Sequence, residues 1–264
     1  MPHRNESRMQ SCSRVLLPRC FSVLLIAPLM LSGCSPTPSS PRAIGQPPAR
    51  APSFVAWESE TVLEASQGDA LRGLLLAKRC DHCHGSEGFS ANANIPNLAG
   101  MERLAFWKEM EDFASGKRNS AVMSSIAAPL TRQDSADLAA YYSMLPTAAD
   151  PLDRQVFPQA ATPAAQSATA GRLIVLGDVR RGIPPCQACH GPVGFKTGAP
   201  SLAAQNADYV LRQLRDFASG ARANDINMPM RSIAGLLTEE ERQALAGYYG
   251  SGLGHLPASA VLPK

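Results

Sequence analysis

Two copies of the pattern Cys-x-x-Cys-His are the residues of this 264-residue chain whose types and spacing point most directly to chemistry. They comprise Cys80, Cys83 and His84, and then Cys186, Cys189 and His190. Two thiols about one helical turn apart can form thioethers with the two vinyl groups on one edge of a porphyrin, and the next residue then lies beneath the iron. The pattern is the attachment site of c-type haem. It predicts two covalently bound c-type haems, with a histidine as one axial ligand of each iron.

Two other interpretations of paired cysteines fit less well. A thioredoxin-like Cys-x-x-Cys would lie near a βαβ pattern, which the sequence lacks, and a zinc site made of two such pairs would separate them by about 15–20 residues. Here 102 residues separate Cys83 from Cys186, and neither alternative explains the histidine after each pair. His82 is interpreted as a spacer within the motif, and His255 as an exposed residue without a role.

The sequence segments around these motifs occur twice along the chain. Five landmarks recur in the same order, 104 to 107 residues apart: Cys80–Gly85 with Cys186–Gly191, Pro96–Ala99 with Pro200–Ala203, Phe113–Gly116 with Phe217–Gly220, Met123–Ala127 with Met230–Ala234, and Tyr141–Tyr142 with Tyr248–Tyr249. Such self-similarity indicates two copies of one unit. The predicted domains are residues 57–147 and 171–258, joined by an alanine- and proline-rich linker over 148–170.

The second axial ligand is predicted from the same alignment. Met123 and Met230 occupy equivalent positions, 39 and 40 residues after His84 and His190. A methionine opposite the histidine closes the iron and raises its reduction potential. Met228 competes with Met230, since Asn227-Met-Pro-Met230 offers two thioethers, although only Met230 has a counterpart in the first unit.

Helical periodicity predicts the elements that hold these ligands. In the first unit we expect helices near 67–79, with Leu71, Leu74 and Leu75 as the apolar face, near 101–115, and from Thr131 onward. Their counterparts are expected near 170–181, over 207–219 and from Thr238. Thr131 and Thr238 each begin a capping-box pattern. Because no alternating strand pattern of useful length occurs, the predicted fold class is all-α.

The order of these motifs resembles class I cytochromes c, and their tandem repetition is similar to the di-haem cytochrome c4 group over roughly residues 65–255. The resemblance implies two small helical domains, each built around one haem. It also implies thioethers at the four motif cysteines and iron ligation by His84 with Met123 and by His190 with Met230. A protein of this kind carries electrons and is not an enzyme.

The N-terminus has the pattern of an export signal. Four arginines precede an apolar run over residues 21–31, which is too short to span a membrane. The run ends in Leu31-Ser-Gly-Cys34, which resembles a bacterial lipobox, in which the cysteine is lipidated. We therefore predict a lipoprotein signal peptide over 1–33, acylation of Cys34 and a proline-rich tether over 34–56. Ordinary cleavage nearby, which would leave Cys34 as a free thiol, is the alternative.

The net charge of +3 belongs to the signal. Of 25 lysines and arginines and 22 acidic residues, removal of residues 1–33 leaves 21 of each, so no nucleic-acid partner is expected. The predicted function is single-electron transfer on the periplasmic side, from a quinol–cytochrome c oxidoreductase to a terminal oxidase or reductase, with an acyl anchor in the inner or outer membrane. The alternatives are a cytochrome subunit of a periplasmic dehydrogenase, or a di-haem peroxidase or thiosulfate dehydrogenase, which would need an open or unusually ligated iron.

Overall fold

The structure is a computed structural model that describes residues 57–147, 167–191, 196–203 and 205–251. The predicted signal peptide, Cys34, the tether, His255 and residues 148–166 of the predicted linker lie outside the described residues. The remaining four residues of that linker are described, and a helix begins within them at Ala168, three residues before the predicted start of the second domain.

The first half consists of six helices: α1 (Ser59–Ser66), α2 (Ala70–Ala77), α3 (Asp81–His84), α4 (Arg103–Ala114), α5 (Ala121–Ala127) and α6 (Arg132–Met144). The helices predicted near 67–79, near 101–115 and after Thr131 correspond to α2, α4 and α6. The periodicity did not predict α1 or α5. The helix α1 has eight residues and α5 has seven.

The second half repeats this order with one difference at its start. Its helices are α7 (Ala168–Val175), α8 (Gln187–His190), α9 (Ala207–Ser219), α10 (Pro229–Leu236) and α11 (Glu239–Gly250). A 3-10 turn, Val179–Arg181, follows α7, so the helix expected near 170–181 is two short elements. The helix α9 has the bounds that the sequence predicts.

Capping side chains begin the last helix of each half. Thr131 accepts a hydrogen bond from the backbone N–H of Asp134, whose carboxylate accepts one from the Thr131 N–H in return. Thr238 and Glu241 make the same reciprocal pair at α11. Both predicted capping boxes are therefore present, and each satisfies backbone donors that the helix cannot.

Each half has its own buried core. In the first, α4 and α6 bury Phe106, Trp107, Phe113, Leu138 and Tyr142, and in the second the core includes Leu173, Phe217, Leu245, Tyr248 and Tyr249. Among the described residues the only β-type pairing is one isolated bridge, Asp178 with Ile183. The predicted all-α class is confirmed. None of the helices within the described ranges combines the length and apolar character that crossing a bilayer requires.

The predicted apolar face of α2 is wrong. Leu71 and Leu75 are exposed, at 76% and 72%, and Leu74 is also largely outside the core, whereas Gly73 and Ala77 are buried. A Cβ atom at Gly73 would lie 2.1 Å from the carbonyl oxygen of Asp137 in α6. The two helices pack so closely that only small residues fit between them. Side-chain hydrophobicity therefore indicated the opposite face from the one that packs.

Candidate functional site

One turn of helix positions the residues of each Cys-x-x-Cys-His motif. The N–H of His84 donates to the carbonyl of Cys80 at 2.9 Å, and the N–H of His190 donates to that of Cys186 at 3.0 Å. These bonds fold each motif into α3 or α8 and bring the two cysteines of a motif one turn apart. The spacing needed for two thioethers along one porphyrin edge is thus a local property of both motifs.

Both motif histidines are oriented in the same way by a backbone carbonyl. The Nδ1–H of His84 donates to the carbonyl of Pro96 at 2.8 Å, and that of His190 donates to the carbonyl of Pro200 at 2.8 Å. Since a carbonyl can only accept, Nδ1 carries the proton and the lone pair is on Nε2. Such an outer hydrogen bond sets the tautomer and ring orientation of a metal-ligating histidine.

The two imidazoles are held in the neutral form that binds iron. Burial lowers the pKa of His84, and the carbonyl of Pro96 opposes that shift only in part. Burial also lowers the pKa of His190, with a further contribution from Lys196. Each half therefore presents an unprotonated Nε2 at neutral pH.

None of the four motif cysteines forms a disulfide bond within the described residues. Burial raises the pKa of Cys80, and it raises that of Cys186 to about 11. Burial of a charged thiolate is costly, whereas a thioether carries no charge. The surroundings of the first cysteine of each motif thus suit the neutral product of thiol addition to a vinyl group.

The two predicted methionine ligands lie at matching places. Met123 and Met230 are near the start of α5 and α10, and each is partly buried against the core of its half. The same cores include Cys80 and Cys186 as partly buried members. Met228 differs: it is 51% exposed and precedes α10 in a left-handed conformation with φ of 62°. His82 is exposed, in keeping with its interpretation as a spacer.

Two buried tyrosine hydroxyls indicate that each half accommodates a further group beside its motif. Tyr249 Oη is buried without a hydrogen-bond partner among the described residues, and the equivalent Tyr142 Oη, also buried, has only the thiol of Cys80 beside it. Burial raises the pKa of both, and the nearby Cys80 or Cys186 thiol adds to the shift. A buried polar atom without a partner in a native structure indicates a group that the protein chain itself does not supply. One such hydroxyl beside each motif fits the predicted haem.

Sequence reasoning missed two features of this site. The carbonyls of Pro96 and Pro200 belong to the repeated Pro-x-Leu-Ala landmark, which was identified but had no role. The buried tyrosine hydroxyls belong to the repeated Tyr-Tyr pair, which the sequence indicates only as a landmark of the repeat. In both cases the repetition was the signal, and the role depends on contacts between segments distant in sequence.

Cytochromes c4 and a related electron acceptor are similar to this chain, although no protein-family model matches it. Cytochrome c4 of Pseudomonas aeruginosa is 35% identical over 192 residues, which cover 71% of this chain and 90% of that protein. A thiosulfate dehydrogenase electron acceptor of Stutzerimonas stutzeri is 36% identical over 178 residues, covering 66% of this chain and 79% of the relative. The crystal structure of reduced recombinant cytochrome c4 from Pseudomonas stutzeri has a TM-score of 0.61 and 32% identity, covering 70% of this chain and 98% of that one.

Proposed function

Because the chain belongs to the cytochrome c4 family, whose members are di-haem electron carriers and not enzymes, we propose that it passes single electrons between respiratory proteins at the periplasmic surface of a membrane. Membership confirms the predicted family, the two c-type haems and the role in electron transfer. The observation that carries the proposal is the matched pair of histidines, in each of which the Nδ1–H donates to a proline carbonyl and Nε2 is unprotonated.

In this proposal Cys80, Cys83, Cys186 and Cys189 form the thioethers, while His84 with Met123 and His190 with Met230 ligate the irons. When bound, each haem supplies an iron that gains or loses one electron. The protein holds each imidazole in one tautomer, and with Met123 or Met230 as the second ligand of an iron no position would stay open to oxygen or peroxide. Met230 is favoured over Met228 because it packs against the core while Met228 is half exposed.

The proposed organisation of the whole chain follows the sequence predictions. Residues 1–33 are the lipoprotein signal, Cys34 is acylated and 34–56 are the tether, followed by domains at 57–147 and 171–258 with the linker 148–170 between them. An acyl anchor raises the local concentration of the protein near membrane partners. We propose a quinol–cytochrome c oxidoreductase as donor and a terminal oxidase or reductase as acceptor, with the anchor in the inner or outer membrane.

A second candidate function is supported by the relative named as a thiosulfate dehydrogenase electron acceptor. This chain would then receive its electrons from a periplasmic dehydrogenase, as a separate acceptor or as a stable cytochrome subunit. The iron ligation would be the same, and only the donor would differ. Co-purification of a dehydrogenase with the anchored protein in mild detergent would favour this candidate over a carrier fed by a quinol-oxidising complex.

The test of the ligand assignment compares three methionine variants of the holoprotein. We expect wild type to bind added carbon monoxide slowly at both irons. Met123→Leu and Met230→Leu should each open one iron to carbon monoxide and lower one reduction potential, since the axial ligand sets that potential. Met228→Leu is the matched control and should behave as wild type. Rapid carbon monoxide binding at both irons of wild type would contradict the closed-iron proposal, and a change in Met228→Leu alone would reassign the ligand.

The anchor is tested separately. Cys34→Ser should move the protein from the membrane fraction to the soluble periplasmic fraction without changing its haem spectrum. An unchanged membrane fraction would show that Cys34 is not the attachment point.

A further inference from the structure

A cluster of four polar side chains lies between the two halves and has no part in the function described so far. We name it the cross-half cluster: Glu109 and Arg118 of the first half, Gln213 and Arg222 of the second. The three charged members are mostly buried, with side chains 20%, 11% and 14% exposed for Glu109, Arg118 and Arg222. Charges buried to this degree are held by paired partners.

The cluster is nearly symmetric, because its members are equivalent in the repeat at a spacing of 104 residues. Arg118 donates to Glu109 at 2.7 Å and, across the halves, to Gln213 at 2.7 Å. Arg222 donates to Gln213 at 2.8 Å and, across the halves, pairs with Glu109 at 2.9 Å. Each arginine also stacks on the phenylalanine of its own half, Phe113 or Phe217. Every arginine thus contacts both members of the Glu–Gln pair.

The four members differ in charge, because one carboxylate lies between two guanidinium groups, and Glu109 has further contacts with Lys108 and Asn224. Burial by itself would raise the pKa of Glu109, but Arg222, Lys108 and Arg118 hold it well below its ordinary value. Burial and the charge of Arg118 both lower the pKa of Arg222. Without the carboxylate of Glu109, two like charges would face each other in a site with little water.

Hydrogen bonds across the two halves also join the loops that orient the two histidines. Asn97, which follows Pro96, donates its N–H to the side chain of Gln205 at 2.7 Å. Gln205 donates in return to the carbonyl of Asn97 at 2.9 Å, and both bonds are buried. Gln205 lies shortly after the Pro200 loop. A change in the orientation of the halves would therefore move the two loops that orient the histidines relative to each other.

A further contact across the halves gives a second backbone reporter. The backbone N–H of Tyr209 donates to the carbonyl of Ala93 at 3.1 Å, and the Tyr209 hydroxyl accepts from Arg118 at 2.9 Å. The amides of Asn97 and Tyr209 thus make their hydrogen bonds to the opposite half, so their exchange with solvent reports separation of the halves.

We propose that Glu109 is a positioning residue: by bridging Arg118 and Arg222 it holds the two halves in one orientation, so that electrons pass between the two haem sites across a fixed gap. The step between haems rests on the function proposed above. The orientation itself does not, because it follows from protein contacts alone.

The test replaces the carboxylate in the full-length holoprotein. Glu109→Gln should speed amide exchange at Asn97 and Tyr209 by about tenfold or more, because two buried guanidinium groups lose their counter-charge. The electron-transfer rate between the haems after pulsed reduction should fall, while the absorption spectrum of each haem stays that of wild type. Glu239→Gln is the matched control, since it removes a carboxylate paired with Arg215 and Arg242 within the second half, and it should leave both amides unchanged.

The near-symmetry supplies a rescue that a general loss of stability would not. Because both arginines contact position 213 as well as 109, adding Gln213→Glu to Glu109→Gln should restore slow exchange and the electron-transfer rate. Rescue supports the proposal even if the single variant fails to fold. Unchanged exchange at both amides in Glu109→Gln, or a double variant no slower in exchange than the single one, would overturn it. Absence of electron transfer in wild type would instead refute the function proposed above, with the exchange result still standing.

Discussion

Replacement of Gly73 by alanine tests how closely α2 packs against α6. The added Cβ would lie 2.1 Å from the Asp137 carbonyl oxygen and 2.8 Å from Tyr141 Cβ, closer than the 3.0 Å that such atoms essentially never breach. The nearest obstacle is backbone, so α2 has to move away by about 1 Å. Overpacking of this kind costs about 1–3 kcal/mol, and alanine in a helix recovers about 0.5–1 kcal/mol relative to glycine. Because the obstacle is backbone and not a flexible side chain, we expect the upper part of that cost and a net loss of about 1–2 kcal/mol.

The assay is urea unfolding of the holoprotein followed by two signals. Both tryptophans of the chain, Trp57 and Trp107, are in the first half, so their fluorescence follows unfolding of that half and, through the contact of Trp57 with Gly198, its separation from the second. With a urea dependence of about 2 kcal/mol per molar, Gly73→Ala should lower the tryptophan midpoint by about 0.5–1 M. Because α2 leads directly into Cys80, the visible spectrum of the haem in the first half should change at the same urea concentration.

The matched control is Gly235→Ala in α10. A Cβ atom there meets nothing within 4 Å, so alanine should stabilise the helix by about 0.5–1 kcal/mol. Its effect should appear in far-ultraviolet circular dichroism. The packing argument fails if Gly73→Ala unfolds at the same or a higher urea concentration than wild type while Gly235→Ala behaves as expected.

Three further predictions concern local contacts. Arg181 holds the pKa of Glu241 below its ordinary value. The stability from this pair is therefore complete above about pH 4.5 and is lost as pH falls through the lowered pKa. Glu241→Gln should flatten the dependence of melting temperature on pH in that acid range, and an unchanged slope would contradict this prediction. Thr131→Ala should cost about 1 kcal/mol in chemical unfolding through loss of the N-cap, and a loss below 0.3 kcal/mol (roughly) would argue against the capping role. His82→Ala should leave the haem absorption spectrum and both potentials as in wild type, because His82 is exposed; a shifted potential would make it a ligand or a neighbour of one.

Much of the fold could be predicted from the sequence, because those parts of the fold depend on local features. The capping boxes at Thr131 and Thr238 involve residues three apart, and the bounds of α9 follow from its periodicity. The short helices α5 and α10, which hold the methionines, were not predicted. Each is short, and its methionine packs against the core of its half, a contact that the sequence of the helix alone does not show.

The face of α2 could not be predicted from hydrophobicity. Leu71 and Leu75 suggested a buried stripe, but the space between α2 and α6 admits only Gly73 and Ala77. How near two helices approach is decided by both surfaces together. The hydrophobic pattern of α2 describes only one of these two surfaces.

The sequence by itself determined the chemistry of this protein. The spacing within Cys-x-x-Cys-His places two thiols and an imidazole by the geometry of a single helical turn, and its repetition specifies two haems. The tertiary structure alone decided which carbonyl orients each histidine and which methionine packs against the second core. It also decided that Glu109 lies between two arginines from opposite halves. These contacts join segments from about 10 to more than 100 residues apart, and only the packed chain brings their atoms within hydrogen-bonding distance.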